Sequence, residues 1–380
     1  MKPIYLDYNA TTPIAPEVLA AMEPALREHF GNPSSEHAYG IAARQLIEQA
    51  RMQVAVIIGA SPEEIVFTGG GTEANNHAIR GVALALRNKG RHLVTTAVEH
   101  PAVTEVMAVL AREGWQVTTV PVDGEGQVDP ADVSAALRDD TVLVSAMHAN
   151  NEVGTILPIA EIARICRERG VLMHTDAAQS LGKIPVRVRE LGVDLLSIAG
   201  HKLYAPKGVG ALYIRAGTPL HKLMFGAAHE SDRRPGTENT PYLVGLGAAC
   251  KLAMRELKKN MAHYREMRDR LETAIFSALP PDAVRRNGPA EQRLPNTLNV
   301  SFDNVEADSL LRAVPEIAAS TGAACHAGAV SLSTVIQALQ VPMHYAKGTV
   351  RLTVGRGTTA EQVDRAAELL VAQVRKMQRK

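Results

Sequence analysis

"EEIVFTGGGTEANNHAIRGVALALRNKG", residues 63–90, decides the fold class. "EEIVFTGG" reads as a short strand that ends in glycines. "TEANNHAIRGVALALRNKG" reads as a helix that stops at Gly90. The same unit recurs downstream. The strand "HLVTTAV" is followed by the helix "AVTEVMAVLAREG", and "TVLVSAMHA", "VLMHTDAAQ", "VDLLSIAG" and "GALYIR" read as further strands, with the helix "IAEIARICRERG" between two of them. Alternation of this kind over about residues 16–250 predicts an α/β fold with a mostly parallel sheet. Such sheets bind ligands outside the carboxyl ends of their strands.

The pattern changes after about residue 240. A long helical stretch runs from "TPYLVGLG" to "ETAIFSAL", with dense mixed charge over 254–275. The strands "PNTLNVSF" and "GTVRLTVGR" and the helix "AEQVDRAAELLVAQVRKMQ" follow. Two domains are expected: a large α/β domain over 16–253, and a smaller α+β domain built from 1–15 and 254–380.

Composition removes several classes of function. The 380 residues include 46% apolar and 21% charged side chains, as in ordinary globular proteins. Forty-one basic residues balance 40 acidic ones for a net charge of +1, which gives no electrostatic case for nucleic acid or an anionic membrane as the main partner. No run of about 20 apolar residues is present, and the N-terminal "MKPIYLDYNATTP" does not read as a targeting signal. The three cysteines, Cys166, Cys250 and Cys325, are widely spaced and fit neither a disulfide framework nor a zinc site. A reducing cytoplasm is the expected setting. Cys166 and Cys250 fall in helical patterns and read as packing residues. Cys325, in "STGAACHAG" (320–328), sits among small residues between Gly322 and Gly328, and reads either as a buried thiol or as a nucleophile on a loop. The 13 histidines include no metal-binding pair of the H-E-x-x-H kind.

Three polar clusters stand at predicted strand ends. In "GGGTEANN" (69–76), glycines before Thr72 at a helix start allow backbone N–H groups to approach an anion, or simply make a turn capped by Thr72. In "HTDAAQS" (174–180), Asp176 ends an apolar strand and is either a helix cap or a carboxylate facing a cationic ring nitrogen. In "AGHKLYAPKG" (199–208), Lys202 is either a surface charge or a Schiff-base amine. Together a phosphate cradle, a carboxylate and a lysine are what pyridoxal 5′-phosphate (PLP) requires.

With "YLDYNATTP", "GNPSS", "TTAVEHPAV", "HANNEVGT", "RRPGTEN" and "RLPNTLNVSF", these motifs are collinear over nearly the whole chain. The sequence resembles the NifS/IscS-like cysteine desulfurases, class-V PLP enzymes of fold type I, and their near relatives the selenocysteine lyases. The resemblance implies that Lys202 carries PLP and moves the Cα proton. It implies that Asp176 pairs with the ring nitrogen, that Gln179 binds the ring oxygen, and that His100 stacks on the ring and assists proton transfer. Gly71, Thr72 and His201 would hold the phosphate. Thr237 would reach the phosphate of a neighbouring subunit, which implies a homodimer. Asn151 and Arg356 would bind the substrate carboxylate. Cys325 would accept sulfur from L-cysteine as a persulfide and pass it to an acceptor protein. Two positions depart from the usual desulfurase pattern: Ala199 where a phosphate-binding Ser is common, and Ser231 where Arg is usual. "GAACHAG" and "RPGTENTP" lean toward the selenocysteine lyases, which would release selenium from L-selenocysteine. A catalytically inactive sulfur-carrier scaffold is the reading from a different class.

Overall fold

The structure of the protein, a computed structural model, describes residues 3–326 and 329–379; the side chains of 323–331 lie outside the described residues. Among the described residues, seven strands form the large sheet, in the order 65–68, 210–214, 195–199, 172–176, 141–145, 92–96, 116–120. The pairs between 116–120 and 195–199 are all parallel. Gly210–Ile214 alone runs antiparallel to both its neighbours. The short connection 200–209 explains this, because returning in parallel would need a crossover of a dozen or more residues. Reversing that one strand leaves the other six aligned, so their carboxyl ends share one edge of the sheet.

Helices cover both faces. Gly71–Leu86 buries Ala74, Ala78, Ile79 and Val82, and Ile159–Glu168 buries Ile159, Ile162 and Cys166. Helical periodicity thus delivers one apolar stripe per helix to the sheet, whose strands are buried almost throughout except for the edge strand 116–120. Cys166 and Cys250 are buried packing residues, and burial pushes both thiols up to about 12, so they are inert at neutral pH.

A second, antiparallel sheet has the order 320–321, 349–353, 297–302, 284–286. It shares a core with Leu6, Leu271, Ile275 and Leu370. The helix Thr240–Ala278 runs unbroken past residue 253 and joins both cores: Leu243 to Ala253 pack with the large sheet, Tyr264 to Ile275 with the small one. The last helix, Ala360–Gln378, begins with a capping box between Thr359 and Gln362. Thr359→Ala is expected to lower the unfolding free energy by about 1 kcal/mol, measurable as a shift in the denaturant midpoint at unchanged slope. Among the described residues no helix is long and apolar enough to cross a membrane, and no group of His, Cys, Asp and Glu could hold a metal ion.

Candidate active site

At the shared carboxyl edge lies a cavity of about 400 Å³. Lys202, Asp176, Gln179, His100, Gly71, Thr72, His201 and Asn151 all line it, together with Asn9, Asn75, Met147, Ala199 and Arg351. Most of these residues follow the ends of different strands, because every strand except 210–214 points its carboxyl end here. Arg351 comes instead from the centre of Thr349–Thr353, so the small sheet supplies the opposite wall.

Lys202 leaves the strand Leu195–Ala199 through one 3-10 turn, Gly200–Lys202. Its Nζ donates to the carbonyl oxygens of Asn9 at 2.6 Å and Ala10 at 2.8 Å. Burial and, secondarily, the cation of Arg351 push its pKa down to about 8, against the opposing pull of Asp176 and Asp7. A substantial neutral fraction is therefore present near physiological pH, which an ammonium at the ordinary lysine pKa could not supply.

Asp176, 6% exposed, accepts from Asn75 Nδ2 at 2.7 Å and from the Ala178 N–H at 2.8 Å. Both donors are neutral, and no ion pair to Asp176 is formed among the described residues. A buried carboxylate in this state favours a cationic N–H in the cavity beside it. His100 caps the helix Pro101–Arg112: its Nδ1 accepts the Ala102 N–H at 3.0 Å. That bond leaves Nε2 as the protonated nitrogen of the neutral ring. Loss of solvent where the ring meets the cavity wall lowers its pKa, opposed by the Asp176 carboxylate and aided by Lys202. His201 is likewise pushed down to about 4 by burial and by the neighbouring lysines; its Nδ1 meets Thr11 Oγ1 at 3.2 Å. Glu99, the residue before His100, is raised to about 8 by burial, its carboxyl bonded by Thr96 and the Met147 N–H.

Glycine fits the turn at this wall for local reasons. Gly70 has φ +150°, and a Cβ on Gly71 would stand 3.0 Å from the Ala199 methyl. Gly71 is itself the first residue of the 16-residue helix Gly71–Leu86, whose unpaired N–H groups lie at the cavity.

One residue expected at this cavity, Arg356, is placed elsewhere. Arg356 lies within the turn that Gly355 and Thr358 close, and its guanidinium bonds Glu256 at 2.9 Å and Glu17 at 3.4 Å and lies over the Tyr204 ring. Strand alternation is the physical reason. Val350 and Leu352 face the small core, so Arg351 faces the cavity, whereas Arg356 lies beyond the strand. Arg351 Nη2 donates to Asp7 Oδ1 at 2.7 Å and Ser320 Oγ at 2.9 Å, and Nη1 to the Asn151 carbonyl at 3.1 Å. Its Nε is buried without a partner. Thr237 lies in a separate hollow with Gly69, Gly208 and Arg234. Nearby, Glu230, Ser231 and Asp232 all take positive φ, and the buried Glu230 carboxylate receives a two-pronged bond from Arg51, at 2.7 and 2.8 Å.

The Cys325 side chain lies outside the described residues. Its backbone belongs to the hairpin of Ala323–His326 and Ala329–Leu332. The feet of that hairpin are tied to the site. Ser320 accepts from Arg351, and Ser333 Oγ donates to Glu152 Oε2 at 2.6 Å, next to Asn151.

The cavity fits PLP on its own chemistry: an amine of lowered pKa, a buried carboxylate in no ion pair among the described residues, and a glycine-led helix start. That set defines a fold-type I PLP-dependent enzyme. The Aminotransferase class-V family model matches residues 4–366. A Dictyoglomus turgidum protein named cysteine desulfurase IscS is 48% identical over 376 residues, covering 98% of this chain and 95% of that one. A protein of the same name from Methanosarcina thermophila is 45% identical, covering 99% and 93%. A solved structure titled NifS-like protein superposes with a TM-score of 0.92 at 36% identity, covering 98% of this chain and all of the other. The chain belongs to the class-V aminotransferase family and, within it, to the cysteine desulfurases.

Proposed function

We propose that this enzyme holds PLP on Lys202 and converts L-cysteine to L-alanine, leaving the sulfur as a persulfide on Cys325. The observation that carries the reading is the convergence of Lys202, Asp176, His100 and the Gly71–Thr72 helix start on one cavity. Asp176 would face the ring nitrogen, Gln179 the ring oxygen and His100 the ring face. Gly71, Thr72 and His201 would hold the phosphate, with Thr237 contributing across a homodimer. When bound, the cofactor supplies an electron sink for the charge left at Cα once its proton is removed.

The protein's own residues do the rest. Arg351, with its unpartnered Nε, is the carboxylate-binding cation in place of Arg356, and Asn151 stands beside it. The neutral Lys202 amine takes the Cα proton. His100 remains neutral, with Nε2 free to pass a proton. The Cys325 thiolate attacks the substrate Sγ: the Cβ–S bond breaks and an S–S bond forms. The proton lost from Cys325 and those taken from substrate end on alanine and the persulfide. The sum is L-cysteine plus thiol giving L-alanine plus persulfide, with no outside oxidant. The persulfide then passes to an acceptor protein.

The test is alanine formation by the PLP-loaded enzyme. Wild type is expected to turn over L-cysteine, and Cys325→Ala to lose turnover while the cofactor absorbance survives. Normal turnover by Cys325→Ala would contradict the persulfide route. A strong preference for L-selenocysteine over L-cysteine in wild type would contradict the substrate.

Lys202 basicity gives a separate prediction. Only the neutral amine attacks a carbonyl, so the rate at which apoenzyme captures PLP should rise with pH to a midpoint near 8. Arg351→Met removes a cation that depresses this pKa, so the midpoint should move upward. Stopped-flow absorbance from about 1.5 pH units below the midpoint to about 2 units above it checks both.

A further inference from the structure

Lys183 lies behind the cavity and is assigned nothing by the chemistry above. It is 5% exposed. Its Nζ donates to Gln179 Oε1 at 2.7 Å and Asn9 Oδ1 at 2.8 Å. No carboxylate pairs with it among the described residues, and the charged groups facing it, Lys202 and Arg351, are both cations. Tyr8, Tyr264 and Arg356 line the small space on its other side. Burial and these two cations lower its pKa well below the ordinary value. Burying an amine among cations is costly, so its two hydrogen bonds need a reason.

Both acceptors are primary amides, whose oxygen and nitrogen ends are nearly equal in shape. An amine carrying two donated N–H bonds admits only the oxygen ends. The Asn9 orientation agrees independently: its Oδ1 also accepts from Asn296 at 3.0 Å, while its Nδ2 donates to Thr297 Oγ1 and the Asn151 carbonyl. For Gln179 the oxygen is thus held at the rear. One Nε2 proton goes to the Asn9 carbonyl at 3.0 Å, and the other is left for the cavity that Gln179 lines.

We propose that Lys183 is a positioning residue: by holding the Gln179 oxygen it keeps an amide N–H turned toward the cofactor's ring oxygen. This rests on the PLP reading above. An amide released from Lys183 can turn its oxygen toward the ring, replacing attraction by repulsion and favouring the protonated form of the bound cofactor.

The readout is the pH midpoint of the bound cofactor's visible absorbance, measured on holoenzyme without substrate. Lys183→Met is expected to raise that midpoint by about one pH unit, the size of one hydrogen bond. Gln179→Leu should raise it comparably, and Lys183→Met added to Gln179→Leu should add little. Lys183→Arg, which keeps the donors, should stay close to wild type. An unshifted Lys183→Met holoenzyme overturns the proposal. An equal shift in the Gln179→Leu background also overturns it, since Lys183 would then act as a charge and not through Gln179. If Lys183→Met fails to fold, the other two variants decide: an unshifted Gln179→Leu or a fully shifted Lys183→Arg overturns it. A wild type that binds no PLP would instead defeat the PLP reading, and this inference with it.

Discussion

Lys202→Ala is expected to abolish turnover of L-cysteine, lowering kcat by about 10⁴-fold or more. Positioned proton transfer alone is worth roughly 10²–10⁴-fold, and in the proposed mechanism the same side chain would also provide the covalent attachment of the cofactor. Lys202→Arg should fare no better, because a guanidinium stays protonated throughout the accessible pH range. Asp176, Thr72 and the helix start remain in both variants, so PLP should still bind without a covalent link. Borohydride reduction followed by intact-protein mass measurement separates the effects. Wild type gains the cofactor mass and Lys202→Ala does not. A Lys202→Ala enzyme that kept wild-type turnover would remove the amine from the mechanism.

The second large effect contrasts two arginines five positions apart. Arg351→Met is expected to lower kcat/KM for L-cysteine about 100-fold. That corresponds to about 2–3 kcal/mol, the range of a charge-assisted hydrogen bond to a carboxylate. Arg356→Met should change kcat/KM no more than a few-fold, since its partners are Glu256 and Glu17 and not the cavity. Steady-state kinetics on both variants, with thermal melts to confirm folding, checks the pair. The reverse ranking would return the carboxylate role to Arg356.

The two arginines also mark how far the sequence could be read. Gly71, Thr72, Asp176 and Lys202 were legible because each follows directly from an apolar strand. The rule that ligands meet the carboxyl ends of strands then groups them without knowledge of tertiary contacts. The alternation in "TVRLT" carried the signal for Arg351. Reading it requires knowing that Val350 and Leu352 face the small core and that this sheet closes over the large one. Asn9 was not legible at all. Its bonds reach Lys183, Thr297, Asn296 and the Asn151 carbonyl across as many as 288 residues of chain, and nothing local to "YLDYNATTP" predicts them. Lys183 looks like an ordinary charged residue until its burial is seen. Asn75, read only as part of a glycine-led helix start, bonds the Asp176 carboxylate. The antiparallel strand 210–214 has the same apolar composition as its parallel neighbours, so only the length of the 200–209 connection hints at its direction.

Ala199 has a structural consequence. Its methyl lies against the position a Gly71 side chain would occupy, and it offers the phosphate no hydroxyl. On the PLP reading proposed above, Thr72, His201 and the backbone of the helix Gly71–Leu86 would be the groups left to hold that anion on this side of the cavity.

The route of sulfur is tested most directly by mass spectrometry of the peptide containing Cys325 after the PLP-loaded enzyme has met L-cysteine without an acceptor. The expected result is one added sulfur atom on Cys325, removed by a thiol reductant, with alanine formed in equal amount in the first turnover. Alanine formation with Cys325 unmodified would contradict the account.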